Sequence, residues 1–364
     1  MGLPMVASER QAPAQCRNEE AYAHFEALGE PRWICAPMVD GSELAFRMLT
    51  RKYGVQLAYT PMLHSALMLR TKTYKGVHFT TCPEDRPLAA QFCGNEPQTL
   101  LKAARMVEDD VDAVDINFGC PQGIAKRGRY GAFLQDDWNT IKSLVESLRD
   151  NLKVPVWCKI RVFPDVQRTV EYAKMIEQAG CQLLAVHGRT REQKGTQICA
   201  ADWNKIRAVK RALSIPVIAN GNVAVYEDAE RALRETECDG VMSAWGLLTN
   251  PALFAGNASA VPSRMELAKE YTELAEKYNT QMSMVRLHLF KLMRTRLDAN
   301  MDLNQSLAKC RNLADFRLLL QTIESRCDFD GITFEQRMAA KATAAALTIF
   351  SKRAAIGVLP ERIS

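Results

Sequence analysis

The chain has 364 residues, 47% hydrophobic and 24% charged, with a formal net charge of +5. A chain of that length can bury one large core plus a smaller second one, so about two domains are expected. No apolar run approaches the ~18 residues that span a bilayer, which argues against a membrane protein and for a soluble intracellular one, cytoplasmic with the nucleus left open. Eleven cysteines are scattered singly from Cys16 to Cys327, with no C-x-x-C pair and no His-rich cluster of metal-ligand spacing. Reduced thiols and no bound metal are the expectation. The charge is mild, so it permits a polyanionic partner without requiring one. Most of the excess falls in about the last hundred residues, which hints at a basic appendage.

In chain order, residues 1–30 read as a flexible flank. Short β-rich runs then recur, each followed by a stretch of helical periodicity: WICAPM at 33–38, LAYTPM at 57–62, LAAQFC at 88–93 and DAVDINFGC at 112–120. VPVWCKIRV at 154–162, QLLAVHG at 182–188, IPVIANGN at 215–222 and DGVMSAWG at 239–246 complete the set. Helices are predicted over 98–107 and 169–180, the second ending at Gly180, where a C-terminal cap belongs. About eight βα repeats in that length predict a (β/α)8 TIM barrel over residues 31–258. Beyond Pro251 the strand runs stop. Amphipathic stretches at 265–278, 283–297 and 313–323 predict an all-helical domain over 259–350, followed by a tail at 351–364.

Most of the strand runs have an apolar body and a polar, Cys or Gly end, and in a barrel those ends meet at one mouth, where active sites lie. An open doubly wound sheet would instead carry a G-x-G-x-x-G turn after its first strand, and here that turn reads A-P-M-V-D. The densest constellation is D-I-N-F-G-C-P-Q-G-I-A-K-R-G-R-Y-G-A-F-L at 115–134. Cys120 follows a strand end and precedes a loop holding Lys126, Arg127 and Arg129. A thiol there can stand at the mouth, and cations beside it suit an anionic substrate.

This segment resembles the N-x-G-C-P signature of the tRNA-dihydrouridine synthases, and the resemblance continues through A-P-M-V-D, Q-F-C-G-N, K-I-R, V-H-G-R-T, A-N-G-N, N-P-A-L-F and R-L-H-L-F-K. H-G-R-T-R-E-Q-K-G and G-A-F-L-Q-D-D-W look most like the eukaryotic members acting at positions 16 and 17. The resemblance implies an FMN barrel that reduces the C5=C6 bond of a uridine in tRNA, drawing on NADPH or NADH. It gives Lys159 the negative charge of reduced flavin, Gln91 the isoalloxazine edge, and His187, Asn220, Gly221, Asn222, Ala244 and Gly246 the ribityl and phosphate. Pro37, Met38 and Val39 would flank the same cofactor. Cys120 would deliver a proton to C5, since a free thiol of pKa about 8.5 is mostly protonated at neutral pH. Asn117 and Arg161 would hold the uracil, and Lys126, Arg127 and Arg129 would grip tRNA phosphates. A monomer is expected. Trp245 departs from the family, which commonly has Glu or Arg there. Two other readings stay open: a dihydroorotate-dehydrogenase-like flavoprotein, disfavoured by Gln122 after the Cys-Pro pair, and a tRNA-binding protein without catalysis.

Overall fold

A computed structural model describes residues 17–197, 199–256 and 261–326. Among them nine strands form one parallel sheet: β1 (Trp33–Cys35), β2 (Leu57–Tyr59), β3 (Leu63–His64), β4 (Leu88–Cys93), β5 (Ala113–Phe118), β6 (Val156–Arg161), β7 (Leu183–His187), β8 (Val217–Asn220) and β9 (Gly240–Ser243). β1 pairs with both β2 and β9, and β2 pairs with β4, so eight strands close a barrel. The ninth, β3, extends the edge of β4 through Leu63 opposite Phe92. Each expected strand run contains one barrel strand, so the TIM barrel read from the sequence is the fold.

The intervening helices begin where the sequence supplies caps. Asp137, Asp165 and Asp202 accept hydrogen bonds from the amides of Thr140, Arg168 and Lys205 at the starts of helices Trp138–Arg149, Val166–Gln178 and Trp203–Ala212. Gly180 ends the second of these at φ +109°, a conformation that favours glycine. Inside the barrel, Ile34, Leu57, Ala89, Ala113, Trp157, Leu183, Ile218 and Met242 are buried together, and they seal the base with Phe25.

Phe25 lies in a segment expected to be loose, and there the expectation needs correcting. Helix Glu19–Ala27 is docked through buried Ala21, Tyr22 and Phe25, and the Tyr22 hydroxyl donates to Asp239 at 3.1 Å. Residues 1–16 and the tail at 351–364 lie outside the described residues.

The helical region starts at helix Arg264–Lys277, whose Ser263 and Glu266 form a capping box. The helix expected over 283–297 is broken at Met293 into Met282–Leu292 and Arg294–Ala299. A helix not expected, Met301–Lys309, precedes Leu313–Arg326. The region is mounted firmly on the barrel. Glu43, just before helix Leu44–Lys52, accepts from the Tyr271 hydroxyl at 2.7 Å and meets His288 Nε2 at 2.9 Å, with the His288 ring stacked on Phe46. Tyr271, Leu289 and Phe316 join the same apolar core as the barrel's outer shell. No helix among the described residues is long and apolar enough to cross a membrane.

Candidate active site at the carboxyl mouth of the barrel

Because strand side chains alternate, the inward positions of each strand can be followed toward the mouth. They run Ala89, Gln91 on β4; Ala113, Asp115, Asn117 on β5; Trp157, Lys159, Arg161 on β6; Leu183, Ala185, His187 on β7; and Ile218, Asn220 on β8. Register sets neighbours side by side: Gln91 opposite Asp115, Asn117 opposite Lys159, Arg161 opposite His187, and His187 opposite Asn220. Each column is apolar at the base and polar at the top.

The polar layer is wired. Gln91 Nε2 donates to Asp115 Oδ2 at 2.8 Å, and Gln91 Oε1 accepts from Asn117 Nδ2 at 2.8 Å. Asn117 Oδ1 in turn accepts from the amides of Gly119 at 3.1 Å and Cys120 at 2.8 Å. This chain of amides folds the Cys120 loop into a turn over the mouth. Cys120 is half-buried there, and its carbonyl accepts from Ala132 N at 3.0 Å. The neighbouring Cys93 thiol is pushed up to about 12, mainly by burial and then by proximity to Cys120.

Arg161 braces the same loop. Its Nε donates to Gly119 O at 2.8 Å and its Nη1 to Thr190 O at 2.9 Å, tying the β5 loop to the one after β7. The β7 loop adds Lys194, which donates to Pro121 O, and Arg191, which pairs with Asp136 at 2.6 Å. The sequence reading gave Asn117 and Arg161 to a substrate. Both first hold the protein's own turn, and Arg161 Nη2 is the guanidinium nitrogen left without a partner among the described residues.

On the other side of the mouth, Lys159 Nζ donates to Asn220 Oδ1 at 2.9 Å, and Asn220 Nδ2 donates to Met242 O. Burial, with Arg161 close by, lowers the Lys159 ammonium to about 8. Burial likewise drives His187 well below its usual value, with Lys159, Arg161 and Arg189 adding to the effect. Arg189 Nη1 lies 3.1 Å from His187 Nε2. Guanidinium can only donate, so Nε2 accepts and the neutral ring carries its hydrogen on Nδ1, available to a ligand. Gly221, at φ +114°, leaves no room for a Cβ, which would fall 2.7 Å from Ala201 Cβ and 3.1 Å from His187 Cδ2. Asn222 Oδ1 accepts from Arg189 Nη2 at 2.7 Å and from the Ala201 amide at 3.0 Å.

The remaining expected residues ring the opening. Pro37 and Met38 are half-buried and Val39 is exposed; Ser42 Oγ accepts from the Met38 amide at 3.0 Å. Ala244 and buried Gly246 follow β9 at the start of helix Trp245–Thr249. Lys126, Arg127 and Arg129 are all exposed beside the Cys120 loop, on and just after helix Gly123–Gly128, and none has a carboxylate partner among the described residues.

Asp115, Arg189 and Lys194 were missed as site residues, although all three lie inside motifs read from the sequence. For Asp115 the signal was available: strand alternation places it on the inner face with Asn117. The described cysteines are unpaired, and no cluster of metal-ligating side chains occurs among the described residues.

A closed parallel barrel whose carboxyl mouth gathers a buried cation, a neutral histidine N–H and a half-buried thiol belongs to the class of TIM-barrel proteins with the polar side chains of an enzyme site at the strand ends. Residues 34–343 match the family model described as dihydrouridine synthase, and the chain belongs to that family. This places it outside the dihydroorotate-dehydrogenase-like reading. It is 49% identical over 306 residues to "tRNA-dihydrouridine(16/17) synthase [NAD(P)(+)]-like" of Rattus norvegicus, covering 84% of this chain and 69% of the relative. The "tRNA-dihydrouridine(16/17) synthase [NAD(P)(+)]" of Schizosaccharomyces pombe is 44% identical over 305 residues, 80% of this chain and 76% of the relative. The "tRNA-dihydrouridine(20a/20b) synthase [NAD(P)+]-like" protein of Homo sapiens is 37% identical over 263 residues, 71% and 81% respectively.

Proposed function

We propose that this protein reduces the C5=C6 bond of a uridine at position 16 or 17 of tRNA, with Cys120 as the proton donor. The observation that carries the reading is the amide chain from Gln91 through Asn117 to the Cys120 backbone, which fixes a thiol over the same mouth as Lys159 and His187. The family and the relatives' names support the reaction and the substrate.

The donor set fits FMN. Lys159 would supply a cation for the negative charge of the reduced ring, Gln91 an amide for its edge, and His187 Nδ1–H, the turn at Asn220–Asn222 and the backbone of Ala244 and Gly246 the donors for ribityl and phosphate. Pro37, Met38 and Val39 border that space from the β1 side. FMN held by these residues would supply hydride chemistry toward C6 of the uracil, and NADPH or NADH would regenerate its reduced form. Cys120 gives its proton to C5 from the opposite face, so one hydride and one proton saturate the double bond; the thiolate then recovers a proton from solvent. Arg161 Nη2 and the free hydrogen of Asn117 Nδ2 are the donors left for the uracil oxygens as negative charge develops. A base stacked in a tRNA loop cannot enter the mouth, so the nucleotide is turned outward, and Lys126, Arg127 and Arg129 hold the phosphates beside it.

Rapid-mixing flavin spectroscopy tests the assignment. Wild-type protein should be yellow, bleach with NADPH and recover its colour with unmodified tRNA. Cys120→Ala should bleach normally and recover on the order of 10²–10⁴ times more slowly. Recovery at the wild-type rate would show that another group protonates C5.

A further inference from the structure

Trp245 is a large apolar side chain, 45% exposed, two residues beyond the end of β9 at the rim of the mouth. Nothing in the chemistry above uses it. It does not stand alone, because Lys291 Nζ, on helix Met282–Leu292 of the helical region, lies 4.4 Å from the indole centroid. Arg294 continues this basic edge, with its guanidinium 5.9 Å from the Phe290 ring and an i,i+4 pairing to Asp298 at 3.3 Å. Lys291 has no carboxylate partner among the described residues, and burial beside the indole, with Arg294 near, lowers its ammonium. Across the rim, helix Trp245–Thr249 abuts the β1 loop, where a Cβ on Gly41 would lie 3.3 Å from Leu248 Cδ2. The indole therefore sits where barrel, β1 loop and helical region converge.

An ammonium over an indole is attracted to the negative face of the ring and restricts the ring's rotamers. A held, solvent-facing aromatic ring with cations alongside is the arrangement that binds an unpaired nucleotide: the base stacks on the ring and the phosphate meets the cation. We propose that Trp245 is a stacking platform for an unpaired base of the RNA next to the uridine turned into the mouth, with Lys291 and Arg294 contacting the adjoining phosphates. This rests on the reading of the substrate as tRNA. It gives the helical region a contact at the rim itself, and it holds the loop open by substituting an indole for a lost neighbouring base.

The test measures affinity for unmodified tRNA with the full chain carrying its flavin. Trp245→Ala should weaken binding about tenfold, within the ~5- to 150-fold range of one lost base stack, while flavin content and bleaching by NADPH stay at wild-type values. Trp245→Phe keeps an aromatic face and should lose less. Lys291→Ala should flatten the dependence of log affinity on log salt by about one contact. A tRNA lacking one base beside the target should bind wild type as weakly as intact tRNA binds Trp245→Ala, with no further loss when both are combined. Unchanged tRNA affinity in Trp245→Ala overturns the platform, and slower bleaching by NADPH with unchanged tRNA affinity would assign the indole to the nicotinamide dinucleotide instead. Wild-type protein that binds no tRNA would remove the substrate reading as well.

Discussion

Asp115 allows a test of the polar layer that does not depend on turnover. Burial lifts its carboxyl from 3.8 to about 7, even though Gln91 and Lys159 pull it down, and its Oδ1 has no partner. In the unfolded chain the group ionises near its ordinary value, so ionising it costs more in the fold. The cost is absent below about pH 4, grows as pH rises through the window between 4 and 7, and is complete above it. The gap from 3.8 to about 7 corresponds to ~4 kcal/mol at full ionisation. Asp115→Asn removes this cost. In return it buries an amide NH2 where Oδ1 now lies, a pH-independent loss of ~1–3 kcal/mol. The stability difference between variant and wild type should therefore move in the variant's favour by ~2–3 kcal/mol between about pH 5 and pH 8. Urea unfolding at the two pH values, at equal flavin content, measures it. An identical difference at both, or a variant that fares worse at the higher pH, would mean that Asp115 ionises freely beside Lys159, and the account of a carboxyl held neutral by burial would fail.

Other perturbations reach other parts of the site. Asn117→Ala releases the amides of Gly119 and Cys120, so tRNA-driven recovery of flavin colour should slow on the order of 10²-fold through misplacement of the thiol, with bleaching by NADPH preserved; equal slowing of both halves would contradict this. Replacing Lys126, Arg127 and Arg129 together with Ala should reduce the salt dependence of tRNA binding by roughly two to three phosphate contacts, and an unaltered slope would place the phosphates elsewhere. Glu43→Ala leaves the Tyr271 hydroxyl and His288 Nε2 buried without their partner, which should destabilise the fold by ~2–5 kcal/mol in thermal unfolding. A melting curve like that of wild type would show that the helical region is held by its apolar contacts alone.

The barrel was legible because each strand combines an apolar run with a polar terminus, a pattern that depends only on local alternation. Lys159, His187 and Cys120 could be placed for the same reason, each within two residues of the mouth end of its strand. Their partners could not. Which oxygen Arg161 meets depends on how loops after β5 and β7 fold over each other, and that Asn117 and Gln91 share one chain depends on the β4–β5 and β5–β6 registers. Helix Glu19–Ala27 escaped notice because its burial comes from distant residues such as Asp239. Met301–Lys309 offers only Leu303 and Leu307 as buried residues, too few to show a period, and the break at Met293 carries no proline or glycine to announce it.

The Glu43 joint has a geometric consequence for target choice. The loop that opens at Pro37 runs directly into this carboxylate, so the lip of the mouth and the helical region are anchored at one point, in contact with buried Tyr271 and His288. A mount of that kind has little play. An RNA resting on the helical region would meet the mouth at a constant offset, as work held in a jig meets a fixed tool. Selection between neighbouring uridines would then be settled by where the RNA seats and how much slack its loop carries, and a different target would require a different seating surface, not a swinging domain.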